Sequence, residues 1–222
     1  MSITEHAFKD QPTIVGERVR LEPLGIEHYD GLRPMFDDPE GRRMTATTLV
    51  FDDEMLRNWF STRQDHDDRA DFAIVEVETG RVLGEVVLND LDTDDESCNF
   101  RIGLTGPDVY GRGYGTEATT LVLDYAFDTV GLHRVELDVY SFNPRGQRAY
   151  EKAGFVREGV RRQALRWDGE WHDVIVMGVL ALIAGILLAT VGLALAAGGA
   201  GALWLTSANR DADGYLTSPS YE

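Results

Sequence analysis

Lysine is almost missing from this 222-residue chain: Lys9 and Lys152 are the only two. Arginine supplies nearly all of the positive charge, and 38 Asp and Glu against 21 Lys and Arg leave a formal net charge of −17. No basic stripe interrupts this acidity, which argues against nucleic-acid binding. Two readings of the acidity stand side by side. It can steer cationic substrates over long range, or it can be a halophile-like adaptation to high internal salt, because net charge far from zero maintains solubility; the Asp-rich, Lys-poor balance favours the second. Cys98 is the only cysteine, so an intramolecular disulfide is excluded and the expected role is that of a small buried residue on a strand. His28, His66, His133 and His172 show no metal-ligand spacing, and no metal is expected. The N-terminus lacks the charged-then-apolar pattern of a secretory signal, and no internal repeat is visible.

What is present centres on Tyr110-Gly111-Arg112-Gly113-Tyr114-Gly115-Thr116-Glu117-Ala118. A helical pattern opens directly after the glycines: Ala118, Leu121, Val122, Tyr125 and Ala126 fall on one apolar face. Upstream, Cys98–Leu104 reads as a strand that ends near the Gly106-Pro107 turn. Strand, glycine loop and helix start together make an anion site: glycine allows close backbone approach, and the first helical N–H groups have no internal partner and sit at the positive end of the helix dipole. A plain tight turn would show the same glycines. The spacing fits neither a dinucleotide fingerprint nor a P-loop.

The rest of the chain reads as alternating short elements. Residues 1–12 are polar and form a flexible N-terminus. Val15–Leu24 is a strand, Ile26–Asp38 a helix kinked or broken at Pro34, and Asp52–Arg63 a helix capped by Asp52 or Asp53. Phe72–Val77, Arg81–Leu88 and Ser97–Leu104 are strands, with a hairpin turn at Thr79-Gly80. The helix Thr116–Thr129 ends at Gly131, and Val135–Val139 alternates as a strand buried on one face. Arg145–Ala153 is a short helix capped by Gly154. Phe155–Arg162 and Leu165–Val176 form a last strand pair with a turn near Asp168-Gly169. The order predicts a mixed α/β sheet with helices packed on it.

The glycine loop and a second segment, Asn143-Pro144-Arg145-Gly146-Gln147-Arg148-Ala149-Tyr150-Glu151-Lys152-Ala153-Gly154-Phe155, resemble the two signature motifs of the GNAT N-acetyltransferase family, separated as there by one helix and one strand. Within that family the chain looks most like the ribosomal-protein N-terminal acetyltransferases, over roughly residues 13–178. The resemblance implies a mixed central sheet with splayed strands and flanking helices, with acetyl-CoA as co-substrate. The pyrophosphate would sit on Arg112, Gly113, Tyr114, Gly115 and Thr116, and the pantetheine arm would pair with Ile102, Gly103 and Leu104. Tyr110 stands where the family's first motif often has Gln or Arg; Arg112 is positioned to replace that contact.

Acetyl transfer to an amine requires a neutral amine, a base to take its proton and a donor for the leaving thiolate. Similarity assigns the donor to Tyr150, whose alternative is a core aromatic. Asn143 would bind pantetheine or order a water; its alternative is helix capping. Gly146 stands where some relatives carry serine, so a serine donor is absent. Glu85 is the candidate base, against a reading as a solvated outward-facing side chain; Asn99 and Glu117 are other polar candidates near the cleft. The expected acceptor is a protein N-terminal α-amine. A small amine or antibiotic is the alternative, and a catalytically idle module that binds CoA or a partner is the rival of another class. A homodimer is an open alternative.

After Asp173 no charged residue appears until Arg210. Residues 180–205 are apolar and long enough to span a bilayer as one helix, with Gly185, Ala189 and Gly192 among small residues that permit close helix packing. Arg161, Arg162 and Arg166 before this run, against Arg210 alone after it, place residues 1–178, with the catalytic domain 13–178, in the cytoplasm by the positive-inside rule. The segment is a membrane anchor or a gene fusion or truncation, and residues 206–222 form a polar tail.

Overall fold

The computed structural model describes residues 3–4 and 6–181. Eight strands form one sheet in the order β1-β2-β3-β4-β5-β6-β8-β7. They are β1 (Ile14–Val15), β2 (Val19–Pro23), β3 (Ala70–Glu76), β4 (Val82–Asp92), β5 (Ser97–Leu104), β6 (Arg134–Tyr140), β7 (Val156–Trp167) and β8 (Glu170–Leu180). The single strand expected over Val15–Leu24 is thus a hairpin, closed where the Gly16 N–H donates to the Val19 carbonyl at 2.9 Å. Neighbours pair antiparallel throughout except β5 and β6, which are parallel. A parallel pair needs a long crossover, and the helix α4 (Tyr114–Asp124) provides it, continued by a wider π-helical turn over Tyr125–Val130. Gly131, with φ 86°, then ends that run as a left-handed cap.

Helices cover both sheet faces. On one, Ala118, Val122 and Ala126 of the crossover bury against Phe72, Ile74, Val86, Phe100 and Leu137. Phe8, fully buried, joins this core from the N-terminal segment. On the other face, α1 (Tyr29–Asp37) and α3 (Asp53–Thr62) set Tyr29, Leu32, Leu56 and Phe60 against Ala73 and Val75. Of the kink or break expected at Pro34, the break does not occur: α1 runs on to Asp37, and Pro34 and Asp30 are both exposed, so water reaches the Asp30 carbonyl that loses its helical bond. The chain breaks four residues later at Asp38, whose carboxylate accepts from the Glu40 and Gly41 N–H groups at 3.3 and 2.9 Å and starts α2 (Pro39–Met44). The last helix, α5 (Pro144–Lys152), returns the chain to the long β7–β8 hairpin. Its two-residue turn has Asp168 at φ 49° and Gly169 at φ 84°, the positive angles a tight hairpin requires.

The expected spanning helix of 180–205 lies outside the described residues apart from its first two positions, where Leu180 closes β8 opposite Arg134. Among the described residues, no helix is long and apolar enough to cross a membrane.

Candidate functional site

The sheet opens between β5 and β6. They pair only at Ser97–Arg134, Cys98–Val135 and Asn99–Glu136. Beyond Asn99, β5 continues to Leu104 bonded only to β4, and β6 continues to Tyr140 bonded only to β8. Ile102–Leu104 therefore present an unpaired backbone edge to the gap. A cavity of about 880 Å³ fills it, reaching from Trp59 and Phe51 on one side to Lys152 on the other.

The start of α4 forms one wall. Gly113 is its N-cap in the left-handed region at φ 90°, and the first helical bond runs from the Glu117 N–H to the Gly113 carbonyl at 3.1 Å. The N–H groups of Tyr114, Gly115 and Thr116 precede that bond and lack an internal acceptor. Gly113, Gly115 and Thr116 line the cavity, as do Ile102, Gly103 and Leu104. Arg112 and Tyr114 do not. Tyr114 is buried and its hydroxyl donates to Glu76, while the Arg112 guanidinium lies 5.3 Å from the Tyr114 ring centre and its carbonyl accepts from Arg18 at 2.7 Å. Glu117 is also turned away: its carboxylate accepts from the Arg18 and Val19 N–H groups at 2.8 and 3.2 Å and pins the β1–β2 hairpin. Tyr110 stays on the wall, with its hydroxyl on Asp38 at 3.2 Å and the Arg145 guanidinium 4.0 Å over its ring.

The chemistry-bearing groups meet at the vertex. Tyr150 lines the cavity from α5 and packs edge to face on Phe100 at 5.9 Å. Burial pushes its hydroxyl up to about 12, so it remains a protonated donor. Asn143 caps α5, its Oδ1 accepting from the Gly146 N–H at 2.8 Å, and also faces the cavity. Glu85 projects from the middle of β4, between Ala73 on β3 and Gly103 on β5. It is not a solvated outward side chain. It is half-buried, its Oε2 is sealed without a hydrogen-bond partner, and it lines the cavity. Desolvation, helped by the nearby Asp71 carboxylate, raises it to about 7 against the attraction of Arg101, Arg69 and Arg63.

Cys98 behaves as expected: it is buried, and desolvation pushes its thiol up to about 12. Residues that the sequence reading passed over complete the cleft. Arg145, Arg148 and Lys152 stand along α5 beside the glycine loop, and Phe36, Phe51, Trp59 and Arg101 form the opposite end. The alternation of Asn99, Arg101 and Gly103 along β5 was the available signal for Arg101, since the three share a face. Among the described residues, no group of three or more His, Cys, Asp or Glu could hold a metal ion. The residues present fit CoA: unpaired helix-start N–H groups and three cations suit its phosphates, and the bare β5 edge suits an extended arm.

Comparison with known proteins agrees. Residues 18–156 match the profile of a family described as acetyltransferase (GNAT) domain. A probable N-acetyltransferase, YjcK, of Bacillus subtilis is 33% identical over 121 residues, covering 54% of this chain and 67% of that protein. A spermidine N(1)-acetyltransferase of Vibrio cholerae is 30% identical over 115 residues, covering 52% and 66%. Among solved structures, a GCN5-related N-acetyltransferase from Brucella melitensis superposes with a TM-score of 0.69 at 26% identity, covering 93% of this chain and 91% of that one. A Vibrio cholerae spermidine N-acetyltransferase in complex with CoA and spermine superposes with a TM-score of 0.70 at 22% identity, covering 76% and 99%, a likeness of fold.

Proposed function

This chain belongs to the acetyltransferase (GNAT) family, an N-acetyltransferase that uses acetyl-CoA, and we propose that its acceptor is an α-amine, that of a protein or peptide N-terminus. The observation that carries this reading is Glu85, a half-buried carboxylate on the cleft wall, raised by desolvation and placed on the same face of the sheet as the exposed Arg101. An α-ammonium, with a pKa near 7.7–8.0, gives up its proton to a cleft base more readily than an alkyl ammonium near 10.4.

Acetyl-CoA supplies the acetyl thioester. Glu85 takes the ammonium proton, directly or through one water, and frees the nitrogen lone pair for the carbonyl carbon. As the new N–C bond forms and the C–S bond breaks, Tyr150 gives its O–H proton to the departing sulfur, and the second proton shed by the nitrogen as it becomes an amide returns through water to the Tyr150 phenolate. The N–H groups at the start of α4 and the α5 cations Arg145, Arg148 and Lys152 hold the phosphates. Gly103 and its neighbours on β5 align the pantetheine, and Asn143 at the head of α5 borders the same path.

The apolar run of 180–205 supports a second element of the proposal, a membrane tether that leaves the catalytic domain on the cytoplasmic side. Recovery of the full chain in an alkali-resistant membrane fraction tests it; a fully extractable chain contradicts it. The acceptor reading is tested by acetylating a mixture of α-amino peptides and spermidine and identifying the products by mass. Acetylated peptide α-amines support it, and acetylspermidine alone overturns it.

A further inference from the structure

The acceptor end of the cleft carries two charged side chains, Glu85 and Arg101, that make neither a hydrogen bond nor an ion pair among the described residues. Strand pairing sets Glu85 opposite Gly103 and Val87 opposite Arg101, so Glu85 and Arg101 are diagonal neighbours on one face of the sheet, about 7–8 Å apart at the backbone. Glu85 Oε2 has no hydrogen-bond partner. Arg101 is exposed on the cleft wall and, among the described residues, makes no ion pair. The other charged groups here are engaged. Arg69 is forked onto Asp71 at 2.6 and 2.7 Å. Arg42 donates to the carbonyls of Thr48 and Leu49 at 3.2 and 3.3 Å, and Asp138 is paired with Arg161.

Beside this pair stands an apolar wall. Phe36 of α1 meets Phe51 edge to face at 5.2 Å and Trp59 of α3 at 6.1 Å, and all three are half-buried with surface open to the cleft. Aromatic surface of this kind accepts a large apolar group. A polyamine meets the wrong charges: Glu85 can hold one ammonium, and Arg101 repels the next. An α-amine with a carboxylate close behind it matches both.

We propose that the acceptor begins with a large apolar residue followed directly by a carboxylate, the side chain packing on Phe36, Phe51 and Trp59 and the carboxylate meeting Arg101. This rests on the α-amine reading above and adds the identity of the terminus. The carboxylate can be an acidic second side chain or the C-terminus of a dipeptide.

The test measures thiol release from acetyl-CoA by the full chain with decapeptides beginning Leu-Glu, Leu-Lys, Ser-Glu and Ser-Lys, with the dipeptide Leu-Leu, and with spermidine. Leu-Glu is expected to exceed Leu-Lys and Ser-Glu in kcat/KM by about tenfold each, the worth of one charge-assisted contact or one buried side chain. Arg101→Glu is expected to reverse the order of Leu-Glu and Leu-Lys while CoA affinity, read by calorimetry, stays unchanged. Leu-Leu turnover that depends on Arg101 assigns the same contact to a peptide's own C-terminus. Equal rates on all four decapeptides, or an unchanged order in Arg101→Glu, overturns the inference and leaves α-amine acetylation standing. Release with spermidine alone overturns both.

Discussion

Replacing Glu85 with Gln keeps the shape of the side chain and removes its titration, and the consequences can be worked out from where it sits. Desolvation in the cleft raises this carboxyl from an ordinary 4.5 to about 7, so about half of the wild-type sites are ionised at pH 7 and about a tenth at pH 6. Because the ionised form accepts the amine proton, wild-type kcat/KM is expected to rise with pH along a limb centred near 7. Glu85→Gln is expected to lower kcat by about 10²–10⁴ and to move the remaining limb toward that of the amine itself, near 7.7–8.0. Stability changes with the opposite sign. The folded state holds this proton more tightly than the unfolded chain, so its contribution is fully present below about pH 4.5 and is lost as pH rises through about 7. The loss approaches about 3 kcal/mol, less in proportion to the water that reaches the half-buried group. Glu85→Gln should therefore gain on wild type between pH 5 and 8 in thermal melts, by about 2–4 °C for each kcal/mol. Steady-state rates across that range and paired melts decide it. A variant with wild-type turnover and the same limb near 7 would refute the assignment of Glu85 as the base.

Other substitutions probe the remaining parts. Tyr150→Phe should lower turnover by at least about tenfold with CoA affinity nearly unchanged by calorimetry; unaffected turnover removes Tyr150 as donor. Gly113→Val places a β-branched residue at φ 90° with its Cβ 3.1 Å from the Arg18 guanidinium, a strain of about 1–3 kcal/mol at the phosphate-facing turn, and should abolish measurable CoA binding while the far-UV spectrum persists. Retained tight binding contradicts the pyrophosphate site. Gly84→Ala would set a Cβ 2.1 Å from the Gly103 carbonyl oxygen, so β4 and β5 must separate and stability should fall by about 1–3 kcal/mol or more; an unchanged melt would show that the strands yield freely.

Local signals in the chain carried much of the fold. Ser97–Leu104 appears as a strand with the bounds it has in the structure, Gly131 ends the crossover helix and Asp168-Gly169 turns the last hairpin, because backbone angle and alternation are written in neighbouring residues. α2 was missed because six residues are too few to show a helical period, although Asp38-Pro39 carried a cap and a first-turn proline. Gln163 at φ 51° marks a register shift in β7, so the strand expected to end at Arg162 runs on, bulged, to Trp167, and the partner expected from Leu165 begins at Glu170. The site was legible by composition and less so by geometry. Glu85 could be named, but its burial comes with α1 packing on β4, a strand some fifty residues away in sequence, and no local pattern reports that. Tyr114 and Arg112 fell in the right motif while their side chains turn elsewhere, since a loop that offers backbone N–H groups leaves its side chains free for other contacts.

A half-buried carboxylate and a tyrosine in the β5–β6 gap that together acetylate an α-amine leave a plain kinetic trace: CoA thiol release from acetyl-CoA by the full chain at pH 7, followed with an α-amino peptide and with spermidine, in wild type and in Glu85→Gln. Release with the peptide that falls by about 10² or more in the variant is the expected result. Release only with spermidine, or release with the peptide that ignores the loss of Glu85, would contradict it.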